Sequence, residues 1–357
     1  VHAMADMEGE PSAVSKPQND YSAFREKLKH SSAQPVILQL RDFVTHFPRQ
    51  LPREEAARRI HRFLNSTLDM MMTECVVFAA DADKEGKANT AEGLEKFLLS
   101  RLHARVFATE PSDSKEDDAL RRQIGQLQWV DFENLGIPAV DPSLLDLAVS
   151  ELRRIDSYKA PRDKLVCILN ACRVINDVLK RTLEESSASG AKTQSFSADD
   201  FLPLLIYACI KANPPRLHSN LEFVAAFRHP SRLVAEDAYF LTALQSAAAF
   251  VQDVEAKALE VTPEVFEDKC AAALDVFEEA EKEARLQAKA AAIAAAGQET
   301  AQAAPAVEAT TVAEKAATIP VDLRRRLRES LDRPLKFEMV QSGRQLRIGD
   351  VAALLAE

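Results

Sequence analysis

Residues 197–251 read SADDFLPLLIYACIKANPPRLHSNLEFVAAFRHPSRLVAEDAYFLTALQSAAAFV, and their alternation of apolar runs and breakers decides the fold. From Phe201 to Ile210 the run FLPLLIYACI is almost wholly apolar, which predicts a helix buried on most of its sides, preceded by Asp199 and Asp200 and carrying Pro203 in its first turn. That helix ends at Asn213-Pro214-Pro215, because proline supplies no amide donor and its ring clashes with a continuing helix. Ser219 and Glu222 stand at the spacing of a capping box and predict a second helix through Phe227. A third is predicted over about 236 to 254. At about 100° per residue, Leu241, Leu244 and Ala248 fall on one of its sides and Tyr239, Thr242, Ala243 and Ser246 on the other. The first set reads as core. The second is a shelf of small side chains with one tyrosine and two hydroxyls, which a partner protein can approach closely.

Working outward, the same helical period recurs in Val36, Leu40, Phe43, Val44 and Phe47, in Ala56, Ile60, Phe63, Leu64 and Met71, and in Leu94, Phe97, Leu98, Leu102 and Val106. Each such helix has one stripe to bury, so the stripes must pack on one another. Arg58, Arg59 and Arg62 read as a solvated helix face. The charged stretches DADKEGKANTAEG (81–93) and EPSDSKEDD (110–118) read as exposed connections, as does the polar stretch 183–197. Asp141-Pro142-Ser143 predicts a capped helix start, with Leu144, Leu145, Ala148, Val149, Leu152 and Ile155 inward. From Pro161 a long helix follows, with Leu165, Ile168, Leu169, Cys172, Ile175 and Leu179 on one face. Thr262-Pro263-Glu264 opens a last one, burying Phe266, Cys270, Ala273 and Phe277.

The expected organisation is therefore all-α: a disordered stretch over 1–20, a helical bundle over 21–130 packed on a layered helical domain over 131–285, an Ala-rich linker over 286–318 and a C-terminal segment over 319–357. Ile348-Gly349-Asp350-Val351 in that segment is expected to cap a short helix. The 357 residues are 46% hydrophobic, enough for a real core, and only 9 are glycine, which disfavours repeated tight hairpins. A formal charge of −10 argues against a nucleic-acid binder, which needs a basic stripe to displace phosphate counterions. No apolar run reaches the roughly 18 residues of a membrane span. The five cysteines, Cys75, Cys167, Cys172, Cys209 and Cys270, lack paired spacing and read as buried free thiols, and no metal site is expected.

The blocks DDFLPLLIY, IKANPPRLHSNLEFV, FRHPSRL and EDAYFLTALQSAAAFV, in that order, resemble the Vps-nine domain, the module that catalyses guanine-nucleotide exchange on small GTPases of the Rab-five subfamily. YKAPRDKLVCILNACRVIN and EGLEKFLLSRLHARVF are similar to the helical-bundle and Vps-nine tandem of plants and algae, so the resemblance spans about residues 30 to 285. It implies that Asp199 is an aspartate finger, with Pro203, Tyr239 and Thr242 as accompanying partner contacts. Ala243 and Ser246 join them as part of the shelf. The resemblance also implies an exchange factor that makes no covalent bond, needs no cofactor and acts on the GDP and Mg²⁺ of its partner. The expected location is cytoplasmic, with peripheral recruitment to endosomes. A different outcome is a helical scaffold or effector that holds the GTPase without emptying it. Taken alone, Asp199 reads as a helix cap and Tyr239 as a half-buried packing residue.

Overall fold

The computed structural model describes residues 17–80, 83–138, 140–189 and 198–299, and every regular element among them is helical. The chain divides into two compact units, one ending at Val106 and the other beginning at Phe107. The first contains Pro17–Leu28 (α1), Gln34–His46 (α2), Arg53–Glu74 (α3), Val76–Ala79 (α4) and Lys84–Val106 (α5). The predicted stripes are its core: Val36, Leu40, Ile60, Leu64, Met71, Leu94, Leu98 and Leu102 are all buried, whereas Arg58, Arg59 and Arg62 are exposed. Phe43 and Phe63 stack between α2 and α3 with centroids 3.8 Å apart.

Two sequence expectations fail in this unit. Residues 17–20 belong to α1, and most of the stretch 81–93 is the first half of α5 rather than a connection. The reason is packing that charge density conceals. Thr90, Ala91 and Gly93 are buried, and a methyl group on Gly93 would stand 2.4 Å from Cγ of Phe24. Only a residue without a side chain lets α1 and α5 come so close.

The second unit contains Asp113–Gln126 (α6), Asp146–Arg154 (α7), Pro161–Ser189 (α8), Phe201–Ala212 (α9), Leu217–Phe227 (α10), Glu236–Asp253 (α11) and Pro263–Glu299 (α12). At its centre α9 packs against α7, α8 and α11, and Leu204 through Ile210 are buried without interruption. That matches its lack of a polar face. Asn213 closes α9 in the left-handed conformation (φ 40°), its amide donating to the Cys209 carbonyl at 3.0 Å. Asp141 caps the chain's approach to α7 as predicted, accepting from the Ser143 amide at 3.0 Å. All five cysteines are buried and free.

Three further readings are corrected. The stretch 110–118 contains the start of α6, and its Asp113 and Asp117 are buried. Ser219 does not begin α10. The helix starts two residues earlier, after Arg216 in the left-handed region (φ 51°), and Asp117 caps it from α6 by accepting the Ser219 amide at 2.9 Å and the Ser219 hydroxyl at 2.5 Å. Burial pushes the Asp117 carboxyl up, against the downward pull of those bonds. The stretch 183–197 is helical as far as Ser189, since α8 continues through it, and 190–197 lie outside the described residues.

Since α6 packs on α10, α11 and α12, the break between units lies upstream of the boundary near 130 read from the sequence. Phe277 of α12 fits against Gly125, where a methyl group would meet its ring at 2.6 Å, and Arg121 pairs with Glu281 beside it. The expected linker begins inside α12, which reaches Glu299. Residues 300–357, with the proposed cap at 348–351, and residues 1–16 are outside the described residues.

Candidate functional site

Asp199 lies in a short 3-10 turn, Ala198–Asp200, that leads directly into α9, and it is exposed. Asp200, one residue on, is the residue at the N-cap of α9, and its side chain makes no capping hydrogen bond. Phe201, the first residue of α9, is buried and stacks on Tyr239 of α11, with centroids 6.2 Å apart and planes inclined by 26°. Phe240 closes the cluster, 5.8 Å from Phe201 and 5.3 Å from Tyr239. This aromatic trio fixes the head of α9, and with it the turn bearing Asp199, against the first turns of α11.

Tyr239 is 55% exposed, so one face of its ring is held while its edge reaches solvent. Burial of the held part raises its phenol above the ordinary value, with the Cys172 thiol adding to the effect, so the hydroxyl is a hydrogen-bond donor at neutral pH. Pro203 is half-buried in the first turn of α9. Thr242 is exposed and donates its hydroxyl hydrogen to the Ala238 carbonyl at 2.9 Å, which leaves oxygen lone pairs and a methyl group facing outward. Ala243 and Ser246 are half-buried, Ala243 packing against the core, while Phe240, Leu241, Leu244, Ala247, Ala248 and Val251 are buried, so the core face of α11 is the expected one.

The predicted residues do not all converge. Asp199 and Pro203 lie at the start of α9 and Tyr239 at the start of α11, two helix starts joined by the Phe201–Tyr239 stack. Ser246 lies about 10 Å farther along α11 at 1.5 Å per residue. There Thr242 and Ser246 help line a groove of about 280 Å³ with Leu120 of α6 and His218 and Leu221 of α10. Two contributors were not read from the sequence. Phe201 is hidden inside an apolar run, where nothing distinguishes a linking ring from core. Arg173 of α8 pairs with Glu236 at 3.4 Å and anchors the first turn of α11. Its only signal was a charge at the edge of the apolar stripe of α8.

A polar network sits at the far end of α9. Lys164, fully buried, donates to the Asn220 side-chain oxygen and to the Ile155 carbonyl (3.2 Å), and its ammonium lies 4.8 Å from the Phe107 ring centroid. Asn220 in turn donates to Asp156 at 3.0 Å, and Arg216 pairs with Asp156 at 2.8 Å. Burial pushes Lys164 down to about 8; nearby Asp156 opposes the shift and Arg216 reinforces it. This network ties α8 to the Asn213–Arg216 bend and to α10.

The family model for the vacuolar sorting protein 9 (VPS9) domain matches residues 145–256, which contain Asp199, Pro203 and the whole of α11. Among curated proteins, the chain is 37% identical over 250 residues to vacuolar protein sorting-associated protein 9A of Oryza sativa, covering 69% of this chain and 51% of that protein. It is 36% identical over 247 residues to the protein of the same name in Arabidopsis thaliana, covering 68% and 46%. It is 34% identical over 250 residues to the human Rab5 GDP/GTP exchange factor, covering 68% and 48%. The chain thus spans about half the length of these curated relatives.

Proposed function

Because residues 145–256 of this chain belong to the VPS9 domain family, we propose that it is a guanine-nucleotide exchange factor for a small GTPase of the Rab-five type. The names of its relatives, one an exchange factor for Rab5 and others for vacuolar sorting, support that reading. The observation that carries it is the exposed carboxylate of Asp199 on the turn that opens α9, braced through Phe201 on Tyr239.

A small GTPase holds GDP through Mg²⁺ and a lysine on the β-phosphate. A carboxylate brought into that pocket repels the phosphate, competes for the lysine and weakens the hold on the metal. Catalysis of this kind works by differential binding, since the exchange factor favours the emptied GTPase over the loaded one. Pro203, Tyr239 and Thr242 form the surrounding surface, and Ala243 and Ser246 extend it along α11. The half-exposed tyrosine ring offers apolar area to the partner and its hydroxyl offers a donor. The Asp199 carboxylate attacks no atom, so no covalent intermediate forms and no cofactor of its own is required.

Among the described residues no helix is long and apolar enough to cross a membrane. We place the protein's action in the cytoplasm, at endosomal membranes, to which it is recruited peripherally. The test is release of a fluorescent guanine diphosphate from a panel of loaded small GTPases. Acceleration confined to members of the Rab-five type supports the proposal, and no acceleration with any of them refutes it in favour of a binder that leaves the nucleotide in place.

A further inference from the structure

Val234 and Tyr239 are the only large apolar side chains exposed over residues 198–254, each at 55%. They flank the same turn. Asp237 donates its amide to the Val234 carbonyl at 3.2 Å, and Tyr239 donates to the Ala235 carbonyl at 3.0 Å. Residues 234–237 thus form a four-residue turn whose second position, Ala235, has φ 50° and ψ −122°. That backbone conformation belongs to the second position of a type II′ turn, where glycine is the ordinary occupant because a β-carbon is crowded there. A single exposed valine is unremarkable. An exposed valine held out by a turn under steric strain, five residues before Tyr239, calls for a reason, since strain of this kind persists where surrounding structure enforces it and concentrates at binding sites. The enforcing contacts are present: the Arg173–Glu236 pair at the third turn position and the Phe201–Tyr239 stack immediately beyond.

We propose that Val234, presented outward by the strained turn at Ala235, is a specificity-determining contact that seats against an apolar side chain of the GTPase's nucleotide-sensing surface. The inference rests on the exchange reading above and deepens it. Val234 and Tyr239 present exposed apolar area on either side of the start of α11, so a partner matching them presents an apolar side chain. The residue acts on capture of the partner, and the removal of nucleotide belongs to Asp199.

The test measures fluorescent GDP release from a Rab-five-type GTPase across a range of exchange-factor concentrations, for the unaltered chain, V234S, V234I and D199A, with thermal melts by circular dichroism. Covering about half of a valine side chain gives roughly a fivefold effect. V234S should lower kcat/KM by about that factor through KM, with kcat and melting temperature unmoved, and V234I should recover most of the loss. A235G should raise the melting temperature by relieving the turn. A V234S chain with unaltered KM overturns the proposal, as does a V234I chain that is as impaired as V234S. If the unaltered chain itself fails to release GDP, the exchange reading falls. A fully active unaltered chain with an indifferent Val234 overturns this inference alone.

Discussion

Replacing Asp199 with alanine separates the role of its charge from that of the fold. The residue is exposed and lies in a three-residue turn ahead of α9. Even a lost hydrogen bond at a helix start costs only about 1 kcal/mol, so the melting temperature should stay within a few degrees of the unaltered chain. The effect on exchange is of another order. A carboxylate about 4 Å from a phosphate oxygen or lysine, at an effective dielectric near 20, interacts by about 4 kcal/mol. At about 1.4 kcal/mol per tenfold, its removal slows nucleotide release by roughly a thousandfold. Asp199→Asn keeps the volume and loses the charge, so it should be nearly as defective. The assay is the observed rate of fluorescent GDP loss against exchange-factor concentration, run beside a circular-dichroism melt. An asparagine variant that retains full exchange would show that shape, not charge, does the work and would refute the electrostatic account.

Tyr239→Phe keeps the ring on Phe201 and removes only the hydroxyl, so stability should hold while exchange falls by about tenfold, the equivalent of one hydrogen bond; equal rates would assign the tyrosine to packing. Gly125→Ala would place a methyl group 2.6 Å from the Phe277 ring and should cost about 1–3 kcal/mol in a denaturant titration; an unchanged midpoint would mean that the ring swings aside. Lys164 loses its proton more readily folded than unfolded, because its folded value is about 8 against the ordinary 10.5. The unfolded chain thus binds more protons between those values, and stability rises with pH across that window. Measured against Lys164→Met, the unaltered protein should gain roughly 1 kcal/mol between about pH 7.5 and about pH 9, and parallel pH profiles would show that the lysine stays charged.

What the sequence revealed follows from how local each signal is. The helix over 201–212 was legible because it is apolar all round and closed by Asn-Pro-Pro, and the core face of α11 was legible because a single period marks it. Ser219 was misread because its hydrogen-bond partner, Asp117, is contributed by another helix far away in the chain. The first half of α5 was misread because Gly93 acquires meaning only when Phe24 lies against it. In the candidate site, the exposure of Tyr239 and Thr242 could be read from helical phase. The Phe201–Tyr239 stack and the Arg173–Glu236 pair could not, because both depend on how separate helices meet. The conformation of Ala235 had no signal at all, since an alanine does not mark a glycine-type bend.

The contribution of α6 to the second unit bears on where this module can be cut. Its apolar interior draws Leu120, Ile124, Leu127, Val130 and Phe132 from upstream of the stretch 145–256, and Leu259 and Cys270 from downstream. A fragment trimmed to that stretch would leave Tyr207 without the Phe132 ring stacked 4.2 Å from it, and would deprive α10 of the aspartate that caps it. Such an excerpt lacks part of the apolar wall against which its buried helices pack. The stretch that recognition by sequence picks out is smaller than the apolar interior it belongs to.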